Sequence, residues 1–191
     1  MKKKIVCAVL STALMAAALC GCGGKEDATT AAATEAATEA ATEAATEATG
    51  LAAKAKVVFN GVTFGCGEKA SDVVAKLGDQ VKPSDKTQPC IPGAGEVTHY
   101  YYNGMSIDAS QYDVICSIHF TNEDGDGKDA KTVGGIGLGS KGDDFKAEFG
   151  TPSSEDEYGL SFTEGEFYVN AVYADDGGAM SITIEDSSIQ L

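Results

Sequence analysis

Gly61-Val62-Thr63-Phe64-Gly65 leads, through a polar turn, into Ser71-Asp72-Val73-Val74-Ala75-Lys76-Leu77-Gly78. The same plan returns at Gly135-Ile136-Gly137-Leu138-Gly139 and Gly142-Asp143-Asp144-Phe145-Lys146-Ala147-Glu148-Phe149-Gly150-Thr151-Pro152. Self-similarity of this kind is informative because a unit that cannot bury its apolar face alone does so against its copy. Val73, Val74 and Leu77 fall on one face of a helix, as do Phe145 and Phe149. Ser71 or Asp72, and Asp143 or Asp144, are placed to cap the helix starts. Gly78 and Gly150 suit the left-handed stop, and Pro152 prevents continuation.

Strand-like segments follow both runs. In the first copy they cover 97–102, 105–109 and 114–121, separated by Asn103-Gly104 and a Gln111-Tyr112-Asp113 corner. The second copy offers 158–163, 166–173 and 179–185, with turns at Glu164-Gly165 and Asp175-Asp176-Gly177-Gly178. Cys116-Ser117-Ile118-His119-Phe120 matches Met180-Ser181-Ile182-Thr183-Ile184 in apolar and polar alternation. The expectation is an α+β domain of two tandem helix-plus-antiparallel-strand repeats, about 57–131 and about 132–191, forming one sheet. Chance similarity between two helix-and-meander segments is the alternative.

The amino-terminal region reads differently. Lys2, Lys3 and Lys4 precede an apolar stretch over residues 5–19, too short for a comfortable span of about 20 residues. Leu19-Cys20-Gly21-Cys22 resembles the lipobox of bacterial lipoproteins. That resemblance implies a signal peptide over 1–21, a diacylglyceryl group on Cys22, and anchoring at the extracellular face of the cytoplasmic membrane, two acyl chains being enough for stable attachment. A plain secretory peptide and an uncleaved anchor are the alternatives. Residues 22–56 are dominated by Ala, Thr and Glu, with a Thr-Glu-Ala-Ala period that puts Glu35, Glu39, Glu43 and Glu47 on one stripe, where like charges repel. Having nothing to bury, this run is expected to be a solvated tether before a domain at 57–191.

All fourteen basic residues are Lys, and Arg and Trp are absent. Removing residues 1–21 takes away three Lys and no acid, so the formal charge moves from -15 to -18. Such a surface repels nucleic acid and anionic lipid, which leaves the lipid anchor as the membrane contact. Outside the first 22 residues stand Cys66, Cys90 and Cys116, an odd number that leaves at least one unpaired. Cys66 with Cys90 is the candidate disulfide, since both fall at irregular places containing Gly or Pro.

The order of glycine turn, short helix ending in Gly, and antiparallel strands, given twice, resembles the β-lactamase-inhibitor-protein-like (BLIP-like) fold shared with SmpA/OmlA-type lipoproteins. Lys131-Thr132-Val133-Gly134-Gly135-Ile136-Gly137-Leu138-Gly139, with Asp144 and Phe149-Gly150-Thr151-Pro152, also resembles a segment recurrent in lipoproteins of Gram-positive gut bacteria. These motifs are turn and cap residues that bear on fold. The resemblance implies a protein partner, an enzyme to inhibit or an envelope assembly to support. Cys66 departs from the pattern by standing directly after the first glycine turn.

Catalysis needs groups that converge, and the sequence offers few. His99 and His119 are the two histidines. In a regular strand the odd separation of Cys116 and His119 sends them to opposite faces, with Cys116 inward beside Ile118 and Phe120. Asn122-Glu123-Asp124-Gly125-Asp126-Gly127 opens like a calcium loop, yet the twelfth position is Val133 where a bidentate Glu is required. The spaced glycines at 93–95 and 134–139 lack a strand-to-helix dinucleotide context. Acidic pairs such as Asp143-Asp144 and Asp175-Asp176 sit at caps and loops. No catalytic residue, metal or cofactor is expected. His99 and Tyr101 share one face of their strand, and with Ser117, His119 and Ser181 they form a candidate partner-binding surface; an ordinary solvent face is the rival reading. The expected role is a noncatalytic protein-binding module, with a small-ligand or sensory lipoprotein, and then a hydrolase, as alternatives.

Overall fold

The computed structural model describes residues 50–191, so the signal segment, Cys22 and the Ala/Thr/Glu run up to residue 49 lie outside the described residues. In chain order the first elements are α1 (Leu51–Lys54), β1 (Val57–Phe59), β2 (Val62–Phe64), α2 (Ala70–Leu77), β3 (Lys82–Thr87), β4 (Val97–Tyr102), β5 (Met105–Ala109) and β6 (Ile115–Thr121). They are followed by β7 (Lys131–Thr132), α3 (Gly142–Phe149), β8 (Ser154–Asp156), β9 (Gly159–Glu164), β10 (Phe167–Tyr173) and β11 (Ala179–Asp186). The fold is α+β, and every strand pair is antiparallel.

Two sheets form where one was expected. A three-stranded sheet has the order β2-β1-β7, and an eight-stranded sheet the order β3-β4-β5-β6-β11-β10-β9-β8. The small sheet exists because Asn60 and Gly61, both at positive φ, turn the chain back on itself and Val57 then pairs with Thr132. The large sheet is two consecutive meanders meeting at β6 and β11, with Ile118 opposite Ile184, His119 opposite Thr183 and Phe120 opposite Ile182.

One face of the large sheet supplies the core. Ile107, Ile118, Phe120, Leu160, Phe162, Val169, Ile182 and Ile184 are buried there with Val73 and Leu77 of α2 and Phe145 of α3. Each such side chain stabilises the fold by about 1.5–3 kcal/mol relative to exposure. The core begins earlier than the sequence suggested. Leu51 and Ala55 are buried in it, so the tether expected up to residue 56 gives way to structure at α1. Leu51 is the first large apolar residue after the Ala/Thr/Glu run, and its N–H donates to the Glu164 carboxylate.

Helix starts also differ from expectation. The N-caps are Lys69 and Lys141 rather than the Ser and Asp residues that follow them. Asp144 reaches back to accept the Lys141 N–H at 2.8 Å. At α2 the acceptor comes from another element, the β5–β6 corner: Asp113 takes the Ala70 N–H on its carbonyl and the Ser71 N–H and hydroxyl on its carboxylate. Gly78 and Gly150 end their helices at positive φ, 88° and 94°, but with ψ of -155° and -139° they adopt an extended glycine conformation rather than the left-handed helical stop expected.

Candidate functional site

The second face of the large sheet is polar, and it carries a row of side chains, contributed by five neighbouring strands, that bond to one another. Thr87 stands at the end of edge strand β3, and its hydroxyl lies 2.7 Å from His99 Nε2 on β4. His99 Nδ1 is 2.6 Å from Asp108 Oδ1 on β5, and the other carboxylate oxygen is 3.1 Å from His119 Nε2 on β6. His119 Nε2 also lies 2.9 Å from the Ser117 hydroxyl, and its Nδ1 is 3.2 Å from the Thr183 hydroxyl on β11. Alternation explains the placement: Met105, Ile107 and Ala109 enter the core, so Ser106 and Asp108 must face the other way.

Asp108 is the centre of this row. Burial opposes its ionisation, but the hydrogen bonds and charges of His119 and His99 outweigh burial and hold the carboxyl below the ordinary aspartate value. A carboxylate that accepts from both imidazoles also fixes their ring orientation. Each ring keeps a hydroxyl at its other side, and hydroxyls donate or accept as the tautomer demands.

From Thr87 to His119 the row forms the floor of a cleft of about 650 Å³, with Thr183 outside its lining. Pro89, Ile91, Pro92, Val97, Ile189 and Leu191 make its apolar walls, contributed by the 89–94 loop, the start of β4 and residues 187–191. Ile91 is 61% exposed, a large apolar side chain left at the rim. Glu185 and Asp186 complete the charged lining with Asp108.

Three of the residues expected to share a binding surface converge: His99, Ser117 and His119 all line the cleft. Tyr101 lies beside it, stacked on His99 at 6.4 Å between ring centroids, with its hydroxyl donating to Asp85 and the Lys82 ammonium 3.8 Å above its ring. Ser181 occupies the same face, opposite Thr121, outside the cleft lining. The sequence reading missed Asp108, Thr87, Thr183 and Glu185.

The cysteines depart most from expectation. All three are free, so the Cys66–Cys90 disulfide is not formed. Cys90 is exposed in the 89–94 loop, while Cys66 is half-buried with its thiol 3.5 Å from the Cys116 carbonyl. Burial, with Cys116 nearby, pushes the Cys66 thiol up to about 12. Cys116 does not point into the core as alternation required. The register jumps there, from Asp108 opposite Ser117 to Ala109 opposite Ile115, so Ile115 takes the core position and Cys116 is the extra residue of a β-bulge. It lines the cleft, its thiol donates to the Asp108 carbonyl at 3.3 Å, and burial pushes it up to about 11.

In the 122–127 loop, Asn103 donates to Asp126 and Lys128 pairs with it. Among the described residues no group of three or more His, Cys, Asp or Glu is arranged to hold a metal ion.

Fold and site together define an α+β protein with a polar cleft on one sheet face. No protein-family model matches the chain, and no curated protein matches it. A DUF4309 family protein (YjgB) from Bacillus subtilis is a structural neighbour at TM-score 0.37 and 14% identity, over 63% of this chain and 79% of that one. So weak a likeness assigns neither fold nor function.

Proposed function

We propose that the chain is a lipid-anchored surface protein of the BLIP-like class, held to the membrane through Cys22, whose cleft receives a segment of a protein partner. The observation that carries this reading is the combination of a fixed polar floor, from Thr87 through Asp108 to His119, with apolar walls that include an exposed Ile91. A binding site needs apolar area for affinity and a few oriented polar groups for specificity. The register at the seam supports the repeat reading behind the fold class. His119 and Thr183 are equivalent positions of the two aligned segments, and they lie directly opposite one another, as a local two-fold axis between the repeats requires.

Site-specific photo-crosslinking tests the proposal. A crosslinking amino acid at position 91 or 189 should give one discrete protein adduct on producing cells, and the same group at exposed Val133 or Tyr158 should not. Ala94→Trp, which fills the cleft from the loop, should abolish the adduct. Equal labelling from all four positions would sink the idea.

A second reading, a hydrolase, is favoured by one observation. Thr87, His99 and Asp108 are bonded in the order hydroxyl, imidazole, carboxylate, with the carboxylate on Nδ1 and the hydroxyl on Nε2. That is the order of a nucleophile, its base and the group that orients the base. Turnover on a panel of chromogenic esters that disappears in both Thr87→Val and His99→Ala would establish it.

A further inference from the structure

The cleft's lining is one-sided in charge. Asp108, Glu185 and Asp186 bring three carboxylates, and none of the lining residues is a lysine, in a chain whose fourteen basic residues are all lysine. His99 and His119 face the same space, both as donors to Asp108. Asp108 is paired with both imidazoles, but Glu185 and Asp186 have no cationic partner among the described residues, so an anionic ligand would meet like charge here, whereas a cation would meet complementary charge in a partly desolvated site.

Register places two of those carboxylates. Asp108 lies opposite Ser117 across β5–β6, and Glu185 lies opposite the same Ser117 across β6–β11. Directly opposed residues share a face, so Asp108, Ser117 and Glu185 form a row with Ser117 in the middle. Two strand spacings separate the outer pair by about 10 Å at Cα. That gap leaves room for one small cation above the serine. Glu185 is held from its far side by the Tyr168 hydroxyl, which donates to Oε2 and leaves Oε1 without a side-chain partner among the described residues. Apolar walls begin at once beyond this polar row, at Val97, Ile189 and Leu191.

We infer that this position takes the ammonium of a lysine side chain presented by the partner, with its aliphatic stem along the apolar walls. Lysine suits it because a compact ammonium offers three rotatable donors on an apolar four-carbon stem, whereas a guanidinium demands a planar bidentate partner. The inference rests on the protein-binding reading and names what that partner brings.

Calorimetry on the full chain tests it, with the blocked peptide acetyl-Leu-Ala-Lys-Ala-Leu-amide as probe. The peptide should bind, and its Nε-acetyl-lysine and glutamate forms should bind at least tenfold more weakly. Glu185→Gln, which keeps an acceptor for Tyr168 but removes the charge, should weaken binding about tenfold. Glu155→Gln, at a surface pair with Lys146, should leave it unchanged. Equal binding of the lysine and glutamate peptides, or indifference to Glu185→Gln, overturns the inference. n-Hexylamine binding as tightly as the peptide would also overturn it, by making the site a receptor for free amines. If the position-91 adduct forms but is indifferent to the lysine peptide and to Glu185→Gln, the ammonium site falls and the binding reading stands. If hexylamine binds and no adduct forms, the binding reading falls as well.

Discussion

Asp108 has two jobs at the scale of single residues, one in stability and one in the cleft. Its carboxyl is 18% exposed and accepts from two imidazoles, so replacing it leaves both rings short of an acceptor. Asp108→Asn keeps the shape and one acceptor, and should cost roughly 1–3 kcal/mol at neutral pH. The sign with pH follows from the depressed folded value. Stability from this group is present above the unfolded value, 3.8, and is lost as pH falls through the folded one. Urea melts of wild type and Asp108→Asn should therefore differ at pH 7 and converge as pH drops below about 3.8. A gap that stays constant to pH 2 would show that the residue acts through packing rather than charge.

The elements show what was legible and why. Both three-stranded runs 97–121 and 158–186 could be read because Ile107, Ile118, Phe120, Val169, Ile182 and Ile184 alternate with polar residues, the signature of a half-buried sheet. Strands β3 and β8 could not be read. Lys-Pro-Ser-Asp-Lys-Thr and Ser-Glu-Asp are exposed throughout and become strands by pairing at the sheet edges, with charges and a proline that suit an edge. Histidines 99 and 119 were found because alternation puts them on one face. Asp108 obeys the same rule and was within reach, whereas the Cys116 bulge was not, since nothing local in Ile-Cys-Ser-Ile announces an extra residue. A single-turn helix such as α1 is equally silent, because four residues have no intrinsic stability as a helix and tertiary burial alone holds them. Leu51→Ala should consequently cost about 2–4 kcal/mol, as for a core leucine. Exposed Ala52→Ser should change little by comparison, and chemical denaturation of both variants distinguishes α1 from a tether. An unchanged midpoint for Leu51→Ala would place the domain boundary back at residue 56.

For the whole molecule the decisive feature is the seam between β6 and β11. Each meander pairs its own strands in sequence order, and the β6–β11 ladder joins them within the large sheet. Ile118 opposite Ile184, and Phe120 opposite Ile182, are fully buried, so the two halves close one core rather than two. The cleft inherits this dependence, because Thr87, His99, Asp108, Ser117 and His119 come from one meander and Glu185 and Asp186 from the other. A cavity made on one side of the seam must therefore be felt on both. Ile184→Ala removes a buried side chain and should destabilise the protein by about 2–4 kcal/mol. Native-state hydrogen exchange should show the loss equally at the Ile107 amide of β5 and the Val169 amide of β10, since a single cooperative unit has one global opening. Protection that falls in β9–β11 while β4–β5 keep theirs would mean that the meanders open independently. The cleft would then be an interface between two separately folding halves.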